Sequence, residues 1–261
     1  EDYIEGGLGR NTLIGGRGND TIIARGTDVV YGGDGNDSIE TSSSSYINGG
    51  EGNDTINFLG YTENPTIEGA RGDDYINVTM GTYPSSGTKI QTTFVYNLGD
   101  GNDTITSALS YIKSFEFGEG ITRENIRFTP SYPRDVLITF EGHEGSIFVT
   151  GLAGGSSTNI EGFLKFADGT SWSWWDILVR LKIEGTDGDD SISGSGASEK
   201  IYGYDGNDTI NGNNGPDTIY GGNGNDSISA NGTIYGEDGD DTIRPNGGNY
   251  YVDGGNGNDS I

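Results

Sequence analysis

Carboxylates are the only abundant side chains in this sequence that could do chemistry. The chain has 261 residues, with 40 Asp and Glu, a single histidine at position 143 and no cysteine. Thiolate and multi-histidine metal sites are therefore excluded, and the remaining oxygen ligands suit a hard cation such as calcium. His143 lies in a Glu-Gly-His-Glu-Gly segment without a nucleophile beside it, which favours a solvated loop over a general base. We expect no enzyme activity.

The carboxylates recur within a nonapeptide whose first four positions are mostly glycine. Gly-Gly-Arg-Gly-Asn-Asp-Thr-Ile-Ile occupies residues 15–23, and close copies occupy 32–40 and 49–57. Further copies begin at residues 69, 98, 185, 203, 212, 221, 236 and 254. The pattern G-G-x-G-x-D-x-U-x, in which U is a large aliphatic residue, resembles the RTX family of calcium-binding repeats. This resemblance implies a parallel β-roll.

The two parts of the nonapeptide have different physical roles. Its first six residues are too rich in glycine for a helix or a strand, so we expect a turn with positive φ angles and converging carbonyl oxygens. Its last three residues predict a short strand whose eighth-position side chain points inward. Two nonapeptides make one coil of roughly 18 residues, and the coils stack as parallel sheets. The expected core residues are Leu13, Ile22, Val30, Ile39, Ile47, Ile56, Ile67, Ile76, Ile192, Ile201, Ile210, Ile219, Ile228, Ile234, Ile243, Val252 and Ile261.

Turns with and without the aspartate alternate along the chain. Regular turns begin at residues 15, 32, 49, 69 and 98 in the first array and at 185, 203, 221, 236 and 254 in the second. The turns between them mostly lack the aspartate, and only 212–217 is regular out of phase. Because successive turns of a coil lie on opposite edges, we predict one calcium-binding edge per array. Glu199 and Asp217 are the only plausible acidic pair on the other edge of the second array.

In the RTX family, each calcium lies between successive turns on one edge. One turn provides the carbonyl oxygens of positions two and four with its aspartate, and the next provides those of positions one and three with its own. In the first array the resemblance implies the ligands Gly16, Gly18, Asp20, Gly32, Gly33, Asp34, Gly35, Asp37, Gly49, Gly50, Glu51, Gly52, Asp54, Gly69, Arg71, Gly72, Asp74, Asp100 and Asp103. In the second it implies Thr186, Gly188, Asp190, Gly203, Tyr204, Asp205, Gly206, Asp208, Asp217, Gly221, Gly222, Asn223, Gly224, Asp226, Gly236, Glu237, Asp238, Gly239, Asp241, Gly254, Asn256 and Asp259.

These sets predict about eight Ca²⁺ ions, mainly in one row per array. The alternative is that the turns bind no metal, because Asn-Gly and Asp-Gly are ordinary turn dipeptides. Such dipeptides do not ordinarily recur at coil-length intervals with an aspartate in register. The spacing therefore favours calcium.

The repeats are interrupted over residues 107–184, where the composition becomes aromatic and β-branched. Turn signals separate the apolar segments, which predicts antiparallel strands and a short helix near residue 174. The segments Phe-Gly-Glu-Gly-Ile and Phe-Ala-Asp-Gly-Thr resemble a domain found between haemolysin-type repeat arrays. The predicted fold class is all-β, with two β-roll arrays separated by a small antiparallel spacer. The domains are 1–106 with an insertion at 78–97, a capping spacer at 107–184, and 185–261.

The net charge suggests how such a module would work. A formal charge of −26 excludes binding to nucleic-acid phosphates, and no apolar stretch is long enough to span a membrane. Without calcium the carboxylates repel each other, whereas bound calcium neutralises them and converts binding free energy into folding free energy. The resemblance to the RTX family implies a module of a large bacterial protein that folds outside the cell after type I secretion. Its partners would be calcium ions and neighbouring domains of the parent protein.

The alternative function is an adhesive or carbohydrate-binding module. Trp172, Trp174 and Trp175 could form a platform on which a sugar stacks, although such clusters more often form the core of a small domain. The sequence begins and stops within repeats and has no initiator methionine or signal peptide, so we expect a fragment. The parent protein could be a toxin, protease, lipase, epimerase or adhesin.

Overall fold

Strands make up nearly all the regular structure in the computed structural model, which describes every residue except 61–63, 81–90, 109–110, 132–134, 151–161, 179, 181, 195–198 and 248–250. The insertion predicted at 78–97 therefore lies partly outside the described residues. By their contacts the residues divide into two compact units. Unit 1 comprises Glu1–Arg127, Arg134–Ser156 and Ile160–Trp174, and unit 2 comprises Phe128–Pro133, Ser157–Asn159 and Trp175–Ile261. Within the described part of the chain, no helix is long and apolar enough to cross a membrane.

The first seventeen strands precede the only helix in the described residues. They are β1 (Tyr3–Glu5), β2 (Thr12–Arg17), β3 (Thr21–Ala24), β4 (Val29–Asp34), β5 (Ser38–Thr41), β6 (Tyr46–Glu51), β7 (Thr55–Gly60), β8 (Thr66–Arg71), β9 (Tyr75–Met80), β10 (Thr92–Tyr96), β11 (Asn102–Ser107), β12 (Ile112–Phe117), β13 (Ile126–Ser131), β14 (Asp135–Phe140), β15 (Ser146–Thr150), β16 (Leu164–Lys165) and β17 (Ser171–Trp172). After α1 (Trp174–Leu178) come β18 (Lys182–Glu184), β19 (Ser191–Ser193), β20 (Lys200–Asp205), β21 (Thr209–Asn211), β22 (Asp217–Asn223), β23 (Ser227–Ala230), β24 (Gly232–Asp238), β25 (Thr242–Pro245) and β26 (Tyr251–Asp253).

Consecutive strands of the first array alternate between two sheets, so the chain winds as a β-solenoid. The nine-stranded sheet has the order β1-β3-β5-β7-β9-β11-β15-β14-β13, and the eight-stranded sheet has the order β17-β16-β12-β10-β8-β6-β4-β2. The coils pair in parallel with equivalent repeat positions aligned, as Leu13 with Val30 and Ile22 with Ile39 show. The prediction of an all-β fold built from stacked parallel coils is confirmed.

Branched aliphatic side chains at the eighth repeat position fill the interior of the roll. Every inward residue predicted for the first array is at most 9% exposed. The neighbouring positions face solvent, which gives the period of two expected for a strand with one buried face, as in β5.

The parallel coils continue past residue 107, where the repeat pattern stops. β12 pairs in parallel with β10, and β15 pairs in parallel with β11. Antiparallel pairing joins β14 to β15 and β16 to β17. The expected spacer is therefore only partly antiparallel, because the open edges of the two sheets still offer unpaired backbone groups to the next strands.

Aromatic side chains fill the core beyond the repeats of the first array. Phe94 stacks on Phe115 with ring centroids 5.2 Å apart, and Phe163 packs edge-on against Trp174 at 5.3 Å. Trp172 and Trp174 are 8% and 3% exposed. Their burial does not support the sugar-stacking platform, and the structure does not describe the side chain of Trp175.

The second array repeats the solenoid on a smaller scale. Its sheets have the orders β18-β20-β22-β24-β26 and β19-β21-β23-β25, with parallel pairing throughout. The predicted isoleucines from Ile192 to Ile243 form one buried cluster, and Val252 packs against it half-buried. The inward position predicted for Ile261 is wrong: this residue is 68% exposed, because it follows the isolated bridge between Thr242 and Ser260 and belongs to no strand.

Candidate metal sites

The regular turns of each array lie on one edge of its roll. In the first array they connect the eight-stranded to the nine-stranded sheet, and in the second they connect the five-stranded to the four-stranded sheet. We call this edge the acidic edge, and the edge with the degenerate turns the opposite edge. The regular and the degenerate turns therefore lie on opposite edges, as their alternation in the sequence predicts, and calcium binding along one edge stays a prediction.

Positive φ angles at turn positions two and four set the backbone of the acidic edge. Gly33 and Gly35 have φ values of 120° and 127°, which glycine adopts without steric cost. Four regular turns have another residue at position two. Thr186 is not among the residues with positive φ, whereas Ala70, Tyr204 and Glu237 have φ values of 71°, 77° and 77°. These last three residues keep the left-handed conformation of the glycine they replace, at an energetic cost.

The aspartates at position six form a continuous ladder along the acidic edge. The Oδ1 atom of each aspartate after the first of its array accepts a hydrogen bond from the backbone N–H of the equivalent residue one coil earlier, for example from Asp20 N–H to Asp37 at 2.7 Å. The ladder joins Asp2, Asp20, Asp37, Asp54, Asp74 and Asp103 in the first array and Asp190, Asp208, Asp226, Asp241 and Asp259 in the second. One oxygen of each carboxylate from Asp20 to Asp103 and from Asp208 to Asp259 is thereby satisfied, whereas Asp2 and Asp190 begin the ladders and contribute only their backbone N–H.

The other carboxylate oxygen, Oδ2, is buried without a hydrogen-bond partner in most of the ladder. This holds for Asp20, Asp37, Asp54, Asp74, Asp208, Asp226 and Asp241. A buried carboxylate oxygen without a partner is costly, and native proteins rarely leave one unsatisfied. Burial is the main cause that raises the pKa of Asp54 and Asp74 to about 7 and that of Asp103 to about 8, and the charges of neighbouring aspartates contribute to the same rise. The ladder therefore needs positive charge at the Oδ2 side.

In most regular turns the Oδ2 atom of the aspartate converges with a backbone carbonyl at the first glycine of the turn. A Cβ atom placed on Gly32 would clash with both Oδ2 of Asp37 and the carbonyl oxygen of Gly49. The same pair of oxygens, from its own aspartate and from the first residue of the next turn, approaches Gly15, Gly49, Gly185, Gly203, Gly221 and Gly236. Glycine is required here because any side chain would occupy the space between the two oxygens.

Carbonyl oxygens from two successive turns point into the gap between them. Those of Gly16 and Gly18 point at Gly33 and Gly35 of the next coil, where an added Cβ would clash with them. In the other direction, the carbonyl oxygen of Asp34 accepts a hydrogen bond of 2.7 Å from Gly18 N–H. The backbone thus places positions two and four of one turn beside positions one and three of the next, and that these atoms hold calcium stays a prediction.

Some predicted ligands depart from this arrangement. The hydrogen bond from Asp74 to Asp103 is the longest of the first-array ladder at 3.2 Å, and the Asp100 carboxylate accepts a bond of 2.6 Å from Asn97 N–H. In the second array, the Oδ2 atom of Asp190 already accepts bonds from the N–H and hydroxyl of Thr186. The steps from Asp74 to Asp103 and from Asp190 to Asp208 are therefore the least regular.

The donor set of these gaps fits a hard cation. Within the described ranges, no group of three or more His, Cys, Asp and Glu side chains gathers around one point. Most of the converging atoms are instead backbone carbonyl oxygens, and neutral carbonyls combined with one or two carboxylates are the ligands that calcium prefers. The unpartnered Oδ2 atoms and the spaces kept open by glycine are the features that fit the ion.

The family comparison agrees with this geometry. The RTX calcium-binding nonapeptide repeat (4 copies) matches residues 1–26, 41–60, 182–203, 202–232 and 229–261. The chain belongs to the RTX calcium-binding repeat family. No curated protein matches the sequence of this RTX chain.

The buried aspartate on the opposite edge of the first RTX array, Asp28, is hydrogen-bonded differently from the aspartates of the ladder. The Oδ1 atom of Asp28 accepts hydrogen bonds from the backbone and side-chain amides of Asn11, both at 2.8 Å. Its Oδ2 atom accepts a bond of 3.0 Å from Gly26 N–H. Both oxygens of Asp28 are therefore satisfied by the protein itself.

Two features of the acidic edge escaped the sequence analysis. Asp2 begins the ladder, one coil before Asp20, and its signal was the match of Asp-Tyr-Ile-Glu to repeat positions six to nine. The side chains at position five form a second ladder of hydrogen bonds that runs in the opposite direction. Each accepts a hydrogen bond from the backbone N–H of the equivalent residue one coil later, as Asn19 does from Asn36 at 2.9 Å. Its signal was the recurrence of Asn or Asp at that position.

Proposed function

We propose that this RTX chain is a secreted calcium-binding module whose two rolls fold when calcium binds along the acidic edges. One observation carries the proposal: each acidic edge contains a row of buried Oδ2 atoms with no partner. A carboxylate in that state opposes folding, whereas a divalent cation between two turns offsets the charge of both. The binding free energy would thus appear as stability of the fold.

The proposed ligands are the residues that converge between successive turns. For the gap between the second and third regular turns they are the carbonyl oxygens of Gly33, Gly35, Gly49 and Glu51 with the carboxylates of Asp37 and Asp54. The other gaps use the equivalent positions, with about four ions per array. Calcium in these gaps would supply charge neutralisation, and about eight ions would change the formal charge from −26 to about −10.

The charge also underlies the proposal of secretion. Before calcium binds, repulsion within a chain of charge −26 favours an extended state that can pass through a secretion channel. At extracellular calcium concentrations the same chain would fold. The proposed domain boundaries remain 1–106, 107–184 and 185–261, with the middle segment capping the first roll.

Circular dichroism of the intact chain tests the calcium requirement. We expect a coil-like far-ultraviolet spectrum in chelator and a cooperative gain of β signal at millimolar calcium. Magnesium should fail at the same concentration, because it requires near-ideal octahedral geometry and keeps its water ligands. A strand content that chelator leaves unchanged would disprove calcium-driven folding.

A further inference from the structure

Tyrosines form a stacked column on the outward face of the five-stranded sheet of the second roll. Tyr202, Tyr220 and Tyr235 each follow a fully buried isoleucine in β20, β22 and β24, so their side chains point away from the core. The register pairs Tyr202 with Tyr220 and Tyr220 with Tyr235. Ring centroids lie 5.0 Å apart at both steps, with interplanar angles of 6° and 8°. We call this column the tyrosine ladder.

The solenoid does not require tyrosine at this repeat position. In the first roll the equivalent column of the eight-stranded sheet contains Ile14, Tyr31, Asn48 and Glu68. Only one of these four side chains is aromatic, yet the coils pair in the same parallel register. The tyrosine ladder is therefore a feature of the second roll that the packing of the coils does not explain.

One end of the tyrosine ladder already carries a cation from the protein itself. The Nζ atom of Lys182 lies 5.9 Å from the centroid of the Tyr202 ring, and an ammonium group over a ring face is attracted by its quadrupole. Lys182 pairs with Lys200 in the neighbouring outward column. In the next two coils Thr218 and Thr233 occupy the positions of these lysines. The end at Lys182 thus shows which charge the rings attract.

The other end of the tyrosine ladder combines aromatic rings with carboxylates. Tyr251 is 55% exposed, and its ring centroid lies 5.7 Å from that of Tyr235 at an interplanar angle of 53°, so the two rings form a wedge instead of a closed stack. Asp253 pairs with Tyr235 in register and accepts a hydrogen bond of 3.4 Å from the hydroxyl of Tyr251. Glu237 lies exposed two residues after Tyr235 on β24. Aromatic rings beside carboxylates suit an organic cation.

We propose that this end of the tyrosine ladder docks an extended segment of a partner protein that contains lysine or arginine. The basic side chain would lie against the rings of Tyr235 and Tyr251, with Asp253 and Glu237 close to its charge. The formal charge of −26 favours the same kind of partner, because it attracts basic segments. The ladder crosses strands that are about 4.8 Å apart, so its other rings would contact further residues of the segment. This role goes beyond calcium binding.

Binding of a labelled peptide of alternating lysine and serine, followed by fluorescence anisotropy, tests this surface. The intact chain is used in saturating calcium at physiological ionic strength, which screens long-range attraction. Tyr235→Thr keeps the net charge and should weaken binding about threefold to tenfold, whereas Tyr235→Phe keeps the ring and should bind as wild type does. Asp253→Asn should weaken binding about twofold to fivefold. Tyr31→Thr, in the equivalent column of the first roll, is the matched control and should leave the affinity unchanged.

Three results would overturn the inference. Equal affinities of wild type and Tyr235→Thr, both folded by circular dichroism, would mean that net charge alone attracts the peptide. Equally tight binding of a peptide of alternating glutamine and serine would mean that the surface does not select a cation. Binding of cellohexaose that is lost in Tyr235→Thr, without binding of the lysine peptide, would assign the tyrosine ladder to a carbohydrate instead.

Discussion

Asp37 and Asp28 lie on opposite edges of the same roll and are 2% and 0% exposed, yet only Asp37 is proposed to bind calcium. Asp28 has both carboxylate oxygens satisfied by Asn11 and Gly26. Asp37 has one oxygen satisfied by Asp20 and one without a partner. Burial of an aspartate is therefore not by itself a sign of calcium. The deciding feature is whether the protein provides donors for both oxygens.

The largest expected effect is on the number of bound calcium ions when Asp37 or Asp28 is changed to asparagine. Asp37 lies between two candidate gaps, so Asp37→Asn should abolish or weaken two calcium sites by more than tenfold. Asp28→Asn should leave the number of bound ions unchanged and destabilise the fold by about 1–3 kcal/mol, because its new amide would face the Gly26 N–H. Calorimetric titration gives the ion count, and thermal unfolding in saturating calcium gives the stability. Equal loss of bound ions in both variants would contradict the proposal that calcium binds at Asp37 and not at Asp28.

Sequence periodicity was sufficient to locate the core and the acidic edge, because every coil repeats the same spacing. It could not show which buried carboxylates are satisfied, since the partners of Asp28 come from another coil and from a turn of irregular length. For the same reason it missed that Thr186 occupies the second oxygen of Asp190. The parallel pairing of β12 and β15 also has no repeat signal, because it follows from the open sheet edges.

Proton binding should reproduce part of the effect of calcium at the acidic edge. In the fold without metal, burial is the main cause that raises the pKa of Asp54 and Asp74 from 3.8 to about 7. The folded state therefore binds more protons than the unfolded state between pH 4 and pH 7. The stability of the calcium-free fold must therefore decrease as pH rises through that window, by an amount on the order of 1 kcal/mol or more per carboxylate.

Calcium-depleted protein followed by circular dichroism from pH 8 to pH 5 measures the effect. We expect β signal to increase as the pH falls, and Asp54→Asn to make the dependence less steep. With calcium present the dependence should reverse, because protons compete for the same oxygens. A calcium-free fold that is most stable at pH 8 would show that the Oδ2 atoms are not the source of instability.

A smaller effect should come from backbone strain on the acidic edge. Glu237 holds a φ of 77° at a position where most turns have glycine, and its carbonyl oxygen faces the next coil. Glu237→Gly should stabilise the calcium-bound roll by about 1 kcal/mol, because glycine adopts this conformation without the Cβ clash. Glu237→Ala is the matched control, since it removes the same charge and keeps the strain. Equal unfolding temperatures for the two variants would attribute any gain to charge alone.

The smallest effect should come from the side chains at position three, which point away from the gaps. Arg71 approaches Glu51 of the previous coil at 3.4 Å, with 70% and 61% of the two side chains exposed. Such a pair contributes at most about 0.5 kcal/mol, so Arg71→Ala should barely change the unfolding temperature. Its proposed role in calcium binding belongs to the backbone carbonyl, which the substitution keeps, and the ion count should equal that of wild type. Loss of an ion from Arg71→Ala, with the fold intact, would show that the side chains of this edge, and not only its carbonyls and position-six aspartates, hold the metal.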